Sequence, residues 1–349
     1  MNILDSMGVH DYEQVIAFQN AETGLRGFTA IHDTTLGPAL GGTRIRRYAN
    51  EADALTDVLR LARGMTYKAS LAELPTGGGK TVVLLHDGLK RREAFESLGR
   101  MIESLGGRYF TARDVGITDD DLQAMARTTQ YVAVEPHPQL GDVSEHTAIG
   151  VWHGLRACLE FAGVKGAARV AIQGVGSVGL HLARVLKREG MELVVADVDA
   201  RRARAAADEL GAQVVLPEEI LFAECDVLAP CALGGVISME VIPRMRARIV
   251  CGSANNMLAT PEAGDALAQR GIVYAPDYLV NAGGLIRGAE FFLLQRADSM
   301  PSLERIYGRM KRVLEIAAAE KRSTSAVADS LAEARLKRPK TFADLTWRT

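Results

Sequence analysis

Two lysines and an aspartate in the first part of the chain have the types and spacing for proton chemistry on an amine. Lys80 closes the run Thr76-Gly77-Gly78-Gly79-Lys80, Lys68 lies upstream in a helix-like stretch, and Asp114 sits in Thr111-Ala112-Arg113-Asp114-Val115-Gly116. Glycines let the backbone press close against a small ligand. A lysine projecting into that space loses hydration, which moves its ammonium toward the neutral, basic form. Well downstream, Gly174-Val175-Gly176-Ser177-Val178-Gly179 has the spacing of a dinucleotide-phosphate turn. Lysines near glycines in one half and a dinucleotide turn in the other point to amine redox chemistry in a cleft.

Each motif also has a plainer local reading. Gly79-Lys80-Thr81 ends like a P-loop, but the residue that should be its first glycine is Leu74, so a nucleoside-triphosphatase reading fails. Read locally, the glycine run is a turn before a buried strand, with Lys80 solvated. Asp114 just past a predicted strand end is either a working group or a turn aspartate. The amides of Cys251-Gly252-Ser253-Ala254-Asn255-Asn256 and Asn281-Ala282-Gly283-Gly284 suit a carboxylate or a carboxamide, and equally suit turns.

The downstream glycines have stronger context. A strand pattern, Val170-Ala171-Ile172, precedes them and a helix pattern over 180–187 follows. The next strand ends in Asp197, 18 residues after Gly179. The glycines allow a tight turn and close approach to a pyrophosphate at the helix N-terminus. Asp197 would accept from the adenosine ribose hydroxyls and repel a 2′-phosphate, which favours NAD over NADP. Arg201, Arg202 and Arg204 follow closely and would suit that phosphate.

The elements that must position these groups are those of an α/β protein. With 349 residues, 48% hydrophobic and 5% aromatic, the chain has enough material for two cores. Strand patterns fall at 14–18, 27–32, 81–85, 108–112 and 131–134, and helix patterns at 51–69, 91–105 and 119–127. A proline-broken loop, Glu135 to Asp142, follows, with His137 and His146 placed in the inter-domain loop. Beyond it, strand patterns at 169–173, 193–197, 213–216, 226–229, 248–252 and 272–275 imply a doubly wound parallel sheet. Helical stretches at 302–321 and 325–336 precede a basic tail, Arg335 to Lys340, which reads as a solvated end. A net charge of -2 argues against nucleic acid. No apolar run reaches membrane-spanning length and no secretory leader opens the sequence, so a cytoplasmic protein is expected. The four cysteines and seven histidines lack metal-ligand spacing, and no metal is expected.

Together these segments resemble the glutamate/leucine/phenylalanine/valine dehydrogenase family, including its tryptophan-specific members. The carriers are Ile31 to Arg44 (IHDTTLGPALGGTR), Arg63-Gly64-Met65-Thr66-Tyr67-Lys68, Gly78-Gly79-Lys80, and Ala112-Arg113-Asp114-Val115-Gly116. They continue through Ala229-Pro230-Cys231-Ala232-Leu233-Gly234, Gly252-Ser253-Ala254-Asn255-Asn256 and Tyr274-Ala275-Pro276-Asp277-Tyr278. The resemblance spans almost the whole chain and outweighs the local turn reading of Lys80.

It implies an N-terminal substrate and oligomerisation domain at 1–138, a Rossmann NAD-binding domain at 139–325, and a C-terminal helix and tail at 326–349 packing back toward the first domain. Lys80 is the implied catalytic base, made basic by a protonated Lys68 beside it, and Asp114 is the implied proton shuttle. Lys68 is implied to bind the substrate carboxylate with Gly41 and Gly42. Met65, Leu40, Ala112, Asn256, Leu285 and Gly288 are further substrate positions. Cofactor contacts fall to Gly174, Gly176, Ser177, Val178, Gly179, Asp197, Thr147, Cys231, Ala232, Ala254, Asn255 and Asn281. The implied reaction is NAD-dependent, reversible deamination of an apolar L-amino acid to a 2-oxo acid and ammonia, by a homo-oligomer. The alternative is a non-catalytic NAD-binding protein that kept the fold; retention of Lys68, Lys80 and Asp114 together argues against it. The sequence departs from the family pattern at Arg113, at Glu145-His146, and at Gly288, where leucine-type members have valine.

Overall fold

The computed structural model describes residues 2–134 and 137–337; the tail from Arg338 and the loop residues Glu135 and Pro136 lie outside the described residues. The chain divides into two compact units, 1–141 with 332–349, and 142–331.

The first unit is built on β1 (Gln14–Asn20), β2 (Leu25–Asp33), β3 (Ala39–Leu40), β4 (Thr43–Arg46), β5 (Gly77–Leu84) and β6 (Tyr109–Phe110). The sheet order is β1-β2-β5-β3-β6, with β4 also pairing β5. β2 runs antiparallel to β5, while β3 and β4 run parallel to it. Strand alternation divides the side chains between two cores. Ala30 and Val82 meet Leu55 and Val58 of the helix Glu51–Leu71. Ile31 and Val83 meet Phe95, Leu98 and Leu122 from the helices Arg91–Glu103 and Asp119–Ala126. Lys80 has the parity of Val82, so it points to the Glu51–Leu71 side.

The glycine run is not a turn. Gly77, Gly78, Gly79 and Lys80 are the first half of β5 and all four are buried. A Cβ on Gly78 would lie 2.0 Å from the Thr66 backbone nitrogen, and one on Gly41 would lie 1.8 Å from the Gly79 carbonyl oxygen. Glycine is required here because a helix and neighbouring strands press on both faces of β5, not because the chain reverses.

The helix Glu51–Leu71 begins at Asn50, whose side chain accepts from the Asp53 N–H, a cap worth about 1 kcal/mol. Its last turn carries Lys68, where a cation complements the helix dipole. That turn also receives the end of the helix Thr324–Leu336: Ser70 Oγ donates to the Ala332 carbonyl at 2.9 Å, and the Tyr67 hydroxyl donates to Glu333. The predicted strand at 131–134 reduces to one bridge, Thr111 to Val132. The short β3 and β4 were not predicted: β3 has two residues, and the four-residue alternation of β4, with Thr43 and Ile45 buried, is too short to stand out beside Gly41-Gly42.

The second unit contains β7 (Arg169–Gln173), β8 (Glu192–Ala196), β9 (Gln213–Val214), β10 (Val227–Pro230), β11 (Ile249–Val250) and β12 (Val273–Tyr274). Their order is β12-β11-β10-β7-β8-β9, and every pairing is parallel. This is the doubly wound Rossmann arrangement, reversing between β7 and β10. Full helices, Ser177–Arg188 and Ala200–Leu210, follow β7 and β8. The connections from β9 to β10 and from β10 to β11 contain only the single 3₁₀ turns Ile220–Phe222 and Ile242–Arg244. A helix over Val143–Phe161 places His146 and Thr147 on its first turns, where the sequence had suggested loop. Gly283 and Gly284, read as turn residues, begin a helix, Gly283–Phe292, after the short helix Asp277–Val280. Among the described residues no helix is long and apolar enough to cross a membrane.

Candidate functional site

In the first unit the predicted proton-handling groups converge. Lys80 is 5% exposed, and its Nζ lies 3.2 Å from Asp114 Oδ2. The approach is tight: a Cβ on Gly42 would meet the Arg113 carbonyl oxygen at 2.7 Å and Asp114 Cβ at 3.0 Å. The segment Leu40 to Thr43 is held beside Phe110 to Ala112, with Gly41 N–H donating to the Phe110 carbonyl and Thr43 N–H to the Ala112 carbonyl. Met65 Cγ lies 3.4 Å from the position a Gly41 Cβ would take. Lys68, half-buried, follows Met65 by three residues on the same helix face. Leu40, Gly41, Gly42, Met65, Lys68, Lys80, Ala112 and Asp114 are thus drawn around the start of β5.

Burial pushes the Lys80 amine below its usual range; Asp114 opposes the shift and Arg44 adds to it. Burial alone would raise the Asp114 carboxyl, but Lys80 and Arg44 outweigh it and hold that carboxyl below the ordinary range. The sequence reading assigned the depression of Lys80 to lost hydration and to a protonated Lys68. In the structure burial is the larger cause, and the leading cation is Arg44. Beneath the pair, Tyr109 is pushed up to about 12 by burial, and its hydroxyl donates to the Gly41 carbonyl at 2.9 Å.

Sequence reasoning missed Arg44 and Asp57. Arg44 Nε donates to Asp114 Oδ2 at 2.7 Å, and Arg44 Nη1 to Asp57 Oδ2 at 3.0 Å. Arg44 closes the quoted segment Gly41-Gly42-Thr43-Arg44, so its place beside the glycine pair was a usable signal. Asp57 gave none, since with Arg60 three residues on it resembles a solvated helix pair. Arg113 is exposed and pairs with Asp119, so it leaves the Lys80 side to Asp114.

In the second unit the predicted cofactor residues gather at the C-terminal ends of β7, β8, β10 and β11. Gly174 takes φ +90°, its N–H donates to the Ala196 carbonyl at 2.7 Å, and a Cβ there would strike Ala232 Cβ at 2.7 Å. A Cβ on Gly179 would lie 2.0 Å from the Gly174 carbonyl oxygen and 3.2 Å from Cys231 Cβ, whereas Gly176 has nothing within 4 Å. The helix Ser177–Arg188 starts at Gly176 with no side-chain cap. Its first N–H groups, those of Ser177 and Val178 among them, are therefore left for an anion.

Asp197 directly follows β8; its Oδ2 accepts from the Val175 N–H at 2.9 Å and its Oδ1 from the Asp199 N–H at 2.9 Å. Each oxygen keeps a second lone pair. Asn281 Nδ2 donates to the Ser253 carbonyl and to Asn255 Oδ1, both at 3.1 Å. Asn281 Oδ1 is buried and accepts no hydrogen bond among the described residues. Ala254 N–H donates to the Pro230 carbonyl at 2.9 Å, which fixes this loop beside Cys231. Thr147 Oγ1 accepts from the Gly284 N–H at 3.1 Å. Asn256, exposed and at φ +53°, is held by Asp277 through its N–H. Leu285 and Gly288 are half-buried and three residues apart on the helix Gly283–Phe292, and a Cβ on Gly288 would meet nothing within 4 Å. The open Gly176, the uncapped helix start and the orphaned amide oxygen fit a nicotinamide dinucleotide. Among the described residues no group of three His, Cys, Asp or Glu side chains could hold a metal ion.

Residues 12–131 match the family Glu/Leu/Phe/Val dehydrogenase, dimerisation domain, and residues 195–331 match Glutamate/Leucine/Phenylalanine/Valine dehydrogenase. The leucine dehydrogenase of Geobacillus stearothermophilus is 45% identical over 96% of this chain and 94% of its own. The L-tryptophan dehydrogenase of Nostoc punctiforme is 39% identical over 97% of this chain and 98% of its own. A crystal structure of L-tryptophan dehydrogenase from Nostoc punctiforme superposes with a TM-score of 0.84 at 38% identity, covering 95% of this chain and 98% of that one. With an α/β unit holding a buried Lys–Asp pair and a Rossmann-type unit holding a dinucleotide turn, the chain belongs to the Glu/Leu/Phe/Val dehydrogenase family of amino acid dehydrogenases.

Proposed function

We propose that the protein catalyses NAD-dependent, reversible oxidative deamination of an apolar L-amino acid, branched-chain or aromatic, to the 2-oxo acid and ammonia. The observation that carries this reading is the buried Lys80 amine 3.2 Å from Asp114, a pair a purely binding protein does not need. Relatives named leucine and L-tryptophan dehydrogenase support an apolar side chain.

Lys68 and the Gly41-Gly42 backbone hold the substrate carboxylate, and Met65, Leu40, Ala112, Asn256, Leu285 and Gly288 serve the rest of the amino acid. Asp114 accepts a proton from the substrate ammonium, leaving a neutral amine whose lone pair assists loss of hydride from Cα. Bound dinucleotide supplies the acceptor for that hydride. Lys80, kept basic by burial, takes a proton from the water that adds to the resulting iminium carbon. Asp114 returns its proton to the carbinolamine nitrogen, Lys80 passes its first proton to solvent and takes the hydroxyl proton, and ammonia leaves as the carbonyl forms. From the substrate ammonium and one water, the sum releases one 2-oxo acid, one ammonia and two protons beyond the hydride.

Gly174, Gly176, Ser177, Val178 and Gly179 cradle the pyrophosphate, and Asp197 accepts from the adenosine ribose. Thr147, Cys231, Ala232, Ala254, Asn255 and Asn281 complete the nicotinamide side. Arg201 pairs with Asp199 at 3.1 Å and Arg202 with the same carboxylate at 4.0 Å, which weakens their claim on a 2′-phosphate and supports NAD.

The test is to follow reduced-nicotinamide absorbance with each of the twenty L-amino acids, and with the matching 2-oxo acids plus ammonia. Turnover confined to apolar substrates is expected, and its absence from folded, NAD-binding protein would overturn the reading. Lys80→Ala should lower kcat by about 100- to 10,000-fold with NAD binding intact; near-normal turnover would remove Lys80 from its role. The reading also makes the protein a homo-oligomer, and a monomer by sedimentation at assay concentration would contradict that part.

A further inference from the structure

Asp114 is held unsymmetrically. Both cationic donors, Lys80 Nζ at 3.2 Å and Arg44 Nε at 2.7 Å, fall on Oδ2, and among the described residues Oδ1 accepts no hydrogen bond. Arg44 is itself anchored, with Nη1 3.0 Å from Asp57 Oδ2. Asp57 is fixed in turn by the Tyr48 hydroxyl at 2.7 Å and by Arg60 at 3.1 Å. The side chains of Arg44 and Asp57 are only 15% and 12% exposed, so this is an interior brace and not a surface ion pair.

We propose that Arg44 is a positioning residue that saturates Oδ2 of Asp114 and so reserves Oδ1 for the proton of the substrate amine, with Asp57 holding the guanidinium in register. The proposal rests on the proton-shuttle role given to Asp114 above. An oxygen that already accepts from two cations is a poor base toward a third donor, so the other oxygen must take the proton. Arg44 makes its two contacts through different nitrogens of one rigid fork, which a single ammonium cannot reproduce. Within its unit, the charged and titratable groups around Asp114 are Lys80 on β5, Arg44 on β4, and Tyr109 on β6. The helix Glu51–Leu71 adds Asp57, Arg60 and Lys68, and Arg113 next in the chain is turned to Asp119.

Charge and geometry separate experimentally through steady-state kinetics with the best amino acid substrate and NAD over a pH series. Arg44→Gln removes the cation. It should lower kcat at least tenfold and move the acid limb of kcat/KM upward by about one pH unit, as expected when a carboxylate loses a neighbouring cation. Arg44→Lys keeps charge but cannot span both carboxylates; it should lower kcat about tenfold with the acid limb in place and the affinity for NAD unchanged. Asp57→Asn should do the same, and the double variant should cost little more than either single one, because both break one brace. Wild-type kcat in Arg44→Lys and Asp57→Asn, or an unmoved acid limb in Arg44→Gln, would overturn the proposal. Should Arg44→Gln fail to fold, the two conservative variants and their non-additivity still decide it. Asp114→Asn is the control: if it keeps wild-type turnover, the proton-shuttle reading itself fails, whereas inactive Asp114→Asn beside normal Arg44 variants sinks only the brace.

Discussion

Replacing Asp114 by asparagine keeps the shape of the side chain and removes the charge, leaving the Lys80 amine buried beside Arg44 without its counter-ion. Breaking a buried pair by deleting one partner costs about 3–5 kcal/mol. The Asp114 side chain is 22% exposed, which places the loss near the lower end, about 3 kcal/mol. The sign with pH follows from two depressed values. The native Asp114 carboxyl lies below its unfolded value, so its contribution is present above the ordinary carboxylate range and is lost as pH falls through the native value. Lys80 is also depressed, so below its native value the folded state carries the cost of a buried ammonium, and that cost vanishes above the unfolded lysine value. Removing Asp114 removes the leading influence that raises Lys80 and enlarges the cost. The deficit of the variant should therefore be greatest near neutrality and shrink toward both about pH 3 and about pH 11. Urea unfolding followed by far-UV circular dichroism should show the midpoint lowered by about 1 M at neutral pH with an unchanged slope. A deficit that is negligible at neutral pH, or flat from about pH 6 to about pH 11, would refute the placement of Lys80 against Asp114 as a buried pair.

The glycines make a contrasting pair of expectations. Gly78→Ala forces a Cβ to 2.0 Å from the Thr66 nitrogen and should cost at least roughly 1–3 kcal/mol or abolish folding, measured by the same unfolding curves. Gly176→Ala has open space and should fold normally yet bind NAD at least about tenfold more weakly, by titration calorimetry; normal affinity would remove Gly176 from the cofactor site. Gly288→Val also has room, so the protein should stay folded while kcat/KM moves toward smaller side chains by about 10- to 200-fold; an unchanged substrate profile would take Gly288 out of the pocket. Asp197→Ser should narrow the preference for NAD over NADP by at least about tenfold in kcat/KM, and an unchanged ratio would contradict the ribose role.

The second unit was the more legible. Most of its strands are buried apolar runs, β9 excepted, and the turn at Gly174 to Gly179 fixes where a strand stops and a helix starts. The prediction at 169–173 therefore matches β7 to the residue. The first unit was less so. β3 and β4 are two and four residues long, too short for the alternation that β4 does show to be read in advance, and both are fixed by pairing with β5. The helix Val143–Phe161 was missed because the proline-broken segment before it drew its first turns into the loop, although Asp142 caps it through the Ser144 N–H at 2.8 Å.

The sequence by itself determined the chemical inventory. Lys68, Lys80, Asp114, the glycine turn and Asp197 stand out by residue type and spacing, and the roles proposed for them come with a resemblance that extends along almost the whole chain. What only the tertiary structure decided is which neighbours push the proton affinities of Lys80 and Asp114 down. The glycines before Lys80 look like turn residues, and only the crossing of β5 beneath Thr66 makes them strand residues selected for lack of a Cβ. Arg44 and Asp57 become parts of the site only when β4 and the helix Glu51–Leu71 are brought to one end of β5, because proton affinity depends on distances that sequence separation does not encode.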